Sequence, residues 1–224
     1  MTATALGRRL AARIASEGPI PVDRFMHACL LDPEHGYYRK RPAIGAKGDF
    51  ITAPEISQVF GELLGLWAAV VWERMGRPRP VHLIELGPGR GTLMADALRA
   101  LGAVPEMMGA PRVILIEANA ALAVIQRDRL SGLSVPIAWP RSWEVPEGAS
   151  ILFANEFLDA VPVRQLLQQE GRWHERCIGL DGATGLRFEA GAETAPPNGL
   201  GATADGTIAE VRDWKRNEQP LALL

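Results

Sequence analysis

The chain has 224 residues, 47% of them hydrophobic and 22% charged, with a formal net charge of −2. That balance fits one globular domain, or one domain with an appendage. It gives no electrostatic case for nucleic acid as a partner, and no segment reaches the roughly 18 uninterrupted apolar residues that a membrane span needs.

The first ten residues lack the apolar core of a secretory signal. Arg8, Arg9 and Arg13 lie near the start, but a helical pattern begins almost at once, with Leu6, Leu10 and Ile14 spaced by four. Thr4 to Glu17 is therefore a predicted helix, broken by Gly18-Pro-Ile-Pro21. Val22 to Leu31 is a second helix, stopped by Asp32-Pro33. From Glu34 to Gly48 the chain reads as a polar loop. Arg39, Lys40, Arg41 and Lys47 lie close together there, a run that reads as solvated surface. Pro54 opens a long helix to about Met75, which Thr52 could cap and in whose first turn Glu55 is well placed. Its apolar stripe is Ile56, Val59, Phe60, Leu63, Leu64, Trp67, Val70 and Val71.

Strands and helices then alternate. Strand 81–86, helix 92–101, strand 112–117, helix 119–130, a short strand near 135–139 and strand 150–154 give a βαβ rhythm. That rhythm predicts an α/β fold, a parallel sheet with helices on both faces. After Ala160 the rhythm changes. Val163 to Leu167 and Trp173 to Leu180 flank Gly171 as an antiparallel hairpin, and Leu186 to Phe188 reads as a further strand. Residues 191–206 read as loop. Cys29 and Cys177 match no metal or redox spacing and read as reduced thiols in a cytosolic protein. Four scattered histidines form no metal-binding pair, so no metal site is expected.

The chemistry concentrates where strand 81–86 ends. Gly87, Gly89 and Gly91 follow at once in a G-x-G-x-G turn. Residues without a Cβ let backbone approach a ligand, and the N-terminus of the next helix favours a negative group. A dinucleotide fingerprint would need glycine at position 92, where Thr92 stands, which speaks against a nicotinamide oxidoreductase. Glu117, at the end of the next strand, can accept hydrogen bonds from both ribose hydroxyls. Together these features suggest S-adenosyl-L-methionine (SAM). Asn155, Glu156 and Asp159 follow an apolar strand whose carboxyl end shares the edge of the glycine turn; they are site residues or caps.

Several longer segments make the combination specific. Gly48-Asp-Phe-Ile-Thr-Ala-Pro-Glu-Ile-Ser-Gln58, Phe60-Gly-Glu-Leu63, Glu85-Leu-Gly-Pro-Gly-Arg-Gly-Thr-Leu93, Asn155-Glu-Phe-Leu-Asp-Ala160 and Pro162-Val-Arg-Gln165 resemble the MidA family. Leu30-Leu-Asp-Pro-Glu-His-Gly-Tyr-Tyr38 and Trp173-His-Glu-Arg176 are similar to it as well. The resemblance covers roughly residues 6 to 190. It implies a Rossmann-like class I methyltransferase core and methylation of arginine on a protein substrate, a complex I subunit in the mitochondrial members. By matching position, Gly87, Gly89, Gly91 and Glu117 would hold SAM, with Asn155 and Thr52 beside it. Glu156 and Asp159, with Asp49 and Glu55 behind them, would orient the nucleophile. The implied organisation is an N-terminal helical extension with a substrate-side loop (1–78) and a SAM-binding domain (79–224) carrying a hairpin insertion at about 161–190. The expected setting is bacterial cytoplasm rather than the mitochondrial matrix. Family members continue past the hairpin into a helix and further strands. Here Ile208-Ala-Glu-Val211 reads as the start of that helix, and the expectation is a member that lacks the last sheet strands. A non-catalytic binding or assembly module of the same fold is the alternative.

Overall fold

The structure, a computed structural model, describes residues 4–40, 51–140, 146–182, 185–197, 199–200 and 203–211. Packing separates two compact units. Among the described residues, one joins the N-terminal segment up to residue 40 with residues 160–211; the other is the stretch between them.

In the first unit, α1 (Ala5–Glu17) is capped by Thr4, whose side chain accepts a hydrogen bond from the Gly7 N–H at 3.0 Å. Its spaced residues Leu6, Leu10 and Ile14 are all buried. They pack with Ile20 of β1 (Ile20–Pro21) and Val22 of α2 (Val22–Leu31). The predicted polar loop contains a short helix, α3 (Tyr37–Lys40). Residues 41–50, which include Arg41, Lys47 and Asp49, lie outside the described residues.

The second unit opens with helices. The predicted helix from Pro54 is two, α4 (Ala53–Ile56) and α5 (Gln58–Arg74), with Ser57 extended between them at φ −145° and ψ 123°. Thr52 stands at the first N-cap position, but its side chain makes no capping hydrogen bond. The expected apolar stripe of α5 is also only half right. Phe60, Leu64 and Val71 join the core, whereas Val59, Leu63, Trp67 and Val70 are exposed. The buried face is Gly61, Gly65, Ala68, Ala69 and Trp72. Hydrophobicity alone misjudged this face because small residues set how closely two helices approach.

β2 (Val81–Leu86), α6 (Thr92–Leu101), β3 (Pro111–Ile116), α7 (Ala120–Leu130), β4 (Ile137–Ala138) and β5 (Ala149–Phe153) follow. The strands form one parallel sheet in the order β4-β3-β2-β5. Val81, Leu83, Val113, Leu115, Ile151 and Phe153 share a core with Ala68, Trp72, Leu93, Met94 and Leu98. Ile84, Leu86 and Ile116, at the alternate positions, are buried too. Burial on both faces is why β2 reads as a near-continuous apolar run.

Back in the first unit, β6 (Arg164–Gln169) and β7 (Arg172–Asp181) form the predicted hairpin about Gly171, whose φ is 76°. β8 (Gly185–Thr194) pairs with β7 and runs beyond the predicted loop boundary at 191. Residues 208–211, expected to start a helix, are instead β9 (Ile208–Val211), antiparallel to β6. Four residues are too few to display a helical period. The alternation is that of a strand: Ala209 is buried with Leu166 and Trp173, between exposed Ile208 and Glu210.

The tightest constraint in the second unit is the contact between α5 and α6. A Cβ on Gly61 would lie 2.6 Å from the Asp96 Cβ, and one on Gly65 would lie 2.4 Å from the Ala97 carbonyl oxygen. The second contact is with helix backbone and cannot be relieved by turning a side chain. Gly65→Ala should therefore destabilise the fold by about 1–3 kcal/mol, the usual range for overpacking, although alanine is the better helix former. Gly132→Ala, where an added Cβ meets nothing within 4 Å, should be neutral or slightly stabilising. Denaturant midpoints for both variants test this. Equal midpoints would mean that the helices can separate without cost.

Candidate functional site

β2 delivers the chain into the glycine turn. Gly87, Gly89 and Gly91 take φ values of 62°, 55° and 75°, the left-handed region that side chains with a Cβ rarely adopt. The Gly87 N–H donates to the Ile116 carbonyl at 3.0 Å, which binds the start of the turn to the end of β3. A Cβ on Gly87 would meet the Phe157 ring at 2.8 Å. α6 starts at Gly91 with no side-chain cap over its first N–H groups.

Two acids stand at this edge. Glu85, on the penultimate residue of β2, is 3% exposed, and its Oε2 has no hydrogen-bond partner among the described residues. Burial, with the charge of Glu117 adding to it, pushes its carboxyl up to about 8. Glu117 follows β3. Its Oε1 accepts from the Asn119 N–H at 2.8 Å and its Oε2 from the Gln126 side-chain amide at 3.1 Å. Burial raises it to about 7 against the pull of those hydrogen bonds. Asn119 also caps α7, accepting from the Ala121 N–H at 3.0 Å.

A cleft with about 340 Å³ of open space, part of it merging with solvent, lies over the turn. Thr52, Pro54, Glu55, Glu85, Asn155 and the turn residues from Gly87 to Leu93, except Gly91, line it. Glu55 accepts a hydrogen bond from the Thr92 hydroxyl, which itself accepts from Arg129 at 2.6 Å. The Arg90 Nε lies 3.9 Å from Glu55, is buried, and makes no hydrogen bond among the described residues.

The structure thus gathers Gly87, Gly89, Glu55, Thr52 and Asn155, from the sequence expectations, about one cleft. Gly91 adjoins it at the start of α6, and Glu117, just past the end of β3, is not among the lining residues. Glu156 and Asp159 are exposed and do not line it. Glu156 has φ 54°, unusual for a residue with a side chain. Asp49 lies outside the described residues.

Sequence reasoning missed Glu85, Arg90 and Gln126. Glu85 has no role assigned from the sequence, yet a charge inside the buried strand 81–86 is itself a signal, because burying it is costly. Gln126 also had a visible signal. It occupies the middle of the Leu122, Gln126, Leu130 spacing on α7, a core position, and it is fully buried.

Comparison with known proteins agrees with this geometry. A family described as "Putative S-adenosyl-L-methionine-dependent methyltransferase" matches residues 63–223. The chain is 39% identical to the Drosophila melanogaster protein named protein arginine methyltransferase NDUFAF7 homolog, mitochondrial, over 81% of this chain and 46% of that protein. It is 38% identical to the Homo sapiens protein arginine methyltransferase NDUFAF7, mitochondrial, over 86% and 49%. The chain thus spans about half the length of these relatives. A Burkholderia thailandensis protein crystallised with S-adenosyl-homocysteine bound superposes with a TM-score of 0.71 at 30% identity, covering 92% of this chain and 56% of that one. On the family match and on the MidA-type motifs that lie at the cleft, the chain belongs to this S-adenosyl-L-methionine-dependent methyltransferase family.

Proposed function

We propose that this chain holds SAM over the glycine turn and supports methyl transfer to an arginine side chain of a protein substrate. The observation that carries the reading is buried Glu85, with an oxygen that has no hydrogen-bond partner among the described residues, in the lining of a cleft floored by left-handed glycines. A buried carboxyl left without a partner is costly unless something else supplies one. The methionyl end of SAM carries an ammonium and a carboxylate. Glu85 suits the first, while the uncapped start of α6, with the Arg90 Nε nearby, suits the second. Glu117 would accept from the ribose hydroxyls. Its two hydrogen bonds from Asn119 and Gln126 already fix its orientation. The residues present therefore fit the group.

When bound, SAM supplies an electrophilic methyl on a sulfonium. The chain's own residues then have to align an acceptor nitrogen. A guanidinium is a poor nucleophile because its charge is delocalised. Glu156 and Asp159, directly past the carboxyl end of β5, would pair with two of its nitrogens and leave the third for transfer. The left-handed backbone at Glu156 supports that assignment, since such conformations collect at functional sites. Glu55, hydrogen-bonded by Thr92, suits the support of the turn better than contact with substrate. Asp49 keeps its assignment beside the nucleophile on resemblance alone. The finer proposal, also from the resemblance, is that the substrate is a complex I subunit. A cytoplasmic setting is part of the same proposal, and the two free thiols suit it.

Calorimetry with S-adenosylhomocysteine tests the cofactor. The protein should bind it, and Gly89→Val should not, while keeping a cooperative unfolding transition. Binding retained in that variant would remove the ligand from the turn. Glu156→Gln should leave that affinity unchanged and abolish methylation of an arginine-containing substrate by labelled SAM. Undiminished turnover would strike Glu156 from the site.

The raised carboxyl of Glu85 gives a further test in the ligand-free protein. Below its ordinary value near 4.5 both the folded and unfolded chains hold the proton; between there and about 8 only the folded chain keeps it. Its contribution to stability is therefore complete in acid and is lost as pH rises through about 8. Glu85→Gln should become progressively more stable than wild type from about pH 5 to about pH 9. Parallel stability curves for the two proteins would show that Glu85 is not held protonated.

A further inference from the structure

Gln126 is a fully buried polar group that would touch neither the cofactor nor the substrate in the proposed chemistry. It lies on α7, fully buried, with every strong hydrogen-bonding direction of its amide committed except one acceptor position. The amide nitrogen donates to the Gly89 carbonyl at 2.8 Å and to Glu117 Oε2 at 3.1 Å. The amide oxygen accepts from the Trp139 indole N–H at 2.9 Å. Trp139 is held in turn, with the Arg127 guanidinium 4.8 Å from its ring centroid. The Gln126 stem also backs the turn, since a Cβ on Gly91 would meet its Cγ at 3.3 Å.

The two donor contacts join parts of the site that the chain separates by a whole helix and strand. One is the middle of the glycine turn and the other is the acid after β3. The amide has two N–H groups, one for each. The indole N–H can only donate, so it selects the amide orientation in which the oxygen faces Trp139 and the nitrogen faces the site. A glutamine used only to fill the core would not need three polar partners drawn from three different segments.

We propose that Gln126 is a positioning residue for the ribose of the cofactor, acting through Glu117 and locking its carboxylate at a fixed distance from the glycine turn. The inference rests on the cofactor reading above. It predicts a loss confined to ligands that carry the ribose diol, because only those use Glu117. A purely structural role would weaken every ligand of the turn alike.

The test uses the full chain, titrated calorimetrically with S-adenosylhomocysteine and with its 2′,3′-dideoxyribose analogue. Gln126→Met keeps the volume and removes the donors. It should weaken the diol ligand by about ten- to hundredfold, as expected for a buried acceptor left unpaired, and the dideoxy ligand by less than about threefold. Trp139→Phe, which frees the amide to turn, should show a smaller loss of the same kind, and it carries the test if Gln126→Met does not fold. Equal losses for both ligands, or no loss for either, would overturn the role of Gln126 while leaving the cofactor reading intact. A wild-type protein that binds neither ligand would overturn the cofactor reading and this inference with it.

Discussion

The site depends on one register, that of β2 against β3. Leu86 stands opposite Ile116, and the Gly87 N–H is bonded to the Ile116 carbonyl. Parallel pairing in this phase ends both strands on one level, so the glycine turn and Glu117 emerge side by side. A slip of one residue would turn Glu85 to the opposite face of the sheet and put Leu86 in its place. Burial on both faces of β2 makes such a slip costly, because Leu83, Ile84 and Leu86 would all lose their packing. The precision of the site is thus inherited from hydrophobic packing several residues away.

The contact of α5 with α6 adds a second constraint. α6 begins at the last glycine of the turn, so its position decides where the first helical N–H groups point. Gly61 and Gly65 let α5 approach until the Ala97 backbone is nearly in touch. Polar groups finish the contact: Arg99 of α6 pairs with Glu62 of α5 at 3.1 Å and with Asp96 of its own helix at 2.7 Å. These pairs are largely solvated on the arginine side and add little to stability on their own. What they contribute is rotational alignment of two helices whose small buried residues alone would let them turn about one another.

Much of this was legible in the sequence, and the exceptions have physical causes. The strand, turn and helix at 81–101 and the acid at 117 could be read directly, because a buried parallel strand and a glycine turn leave local patterns. The break at Ser57 could not, since residues 54–75 have helical periodicity throughout and the interruption is a tertiary feature. The buried face of α5 was misjudged for a related reason: large apolar residues mark most helix interfaces, and here glycine and alanine mark it instead. β9 was misread because Ile208 to Val211 is too short to show a period, and its pairing with β6 comes from more than forty residues away in sequence. Gln126 and Glu85 were legible only as violations, polar residues at positions that the surrounding pattern assigns to the core. Such local inconsistencies are where function is to be sought.

The two buried acids at the glycine turn, Glu117 and Glu85, are accommodated in opposite ways, and the difference is informative. Glu117 has a hydrogen bond on each oxygen, from Asn119 and Gln126, so its burial is partly compensated within the protein. Glu85 has an oxygen that nothing described satisfies, and it holds its proton to a higher pH. A compensated acid is already oriented and needs only neutral donors, such as hydroxyls, to complete it. An uncompensated acid gains most from a partner that brings positive charge, because ionisation and pairing then occur together. A ligand with hydroxyls at one end and an ammonium at the other could satisfy both acids at once. One that lacked the charged end would leave Glu85 protonated and buried as before. The asymmetry between the two carboxyls therefore gives the cleft a direction along which such a ligand would lie, and that direction follows from hydrogen bonding and burial rather than from the glycine turn.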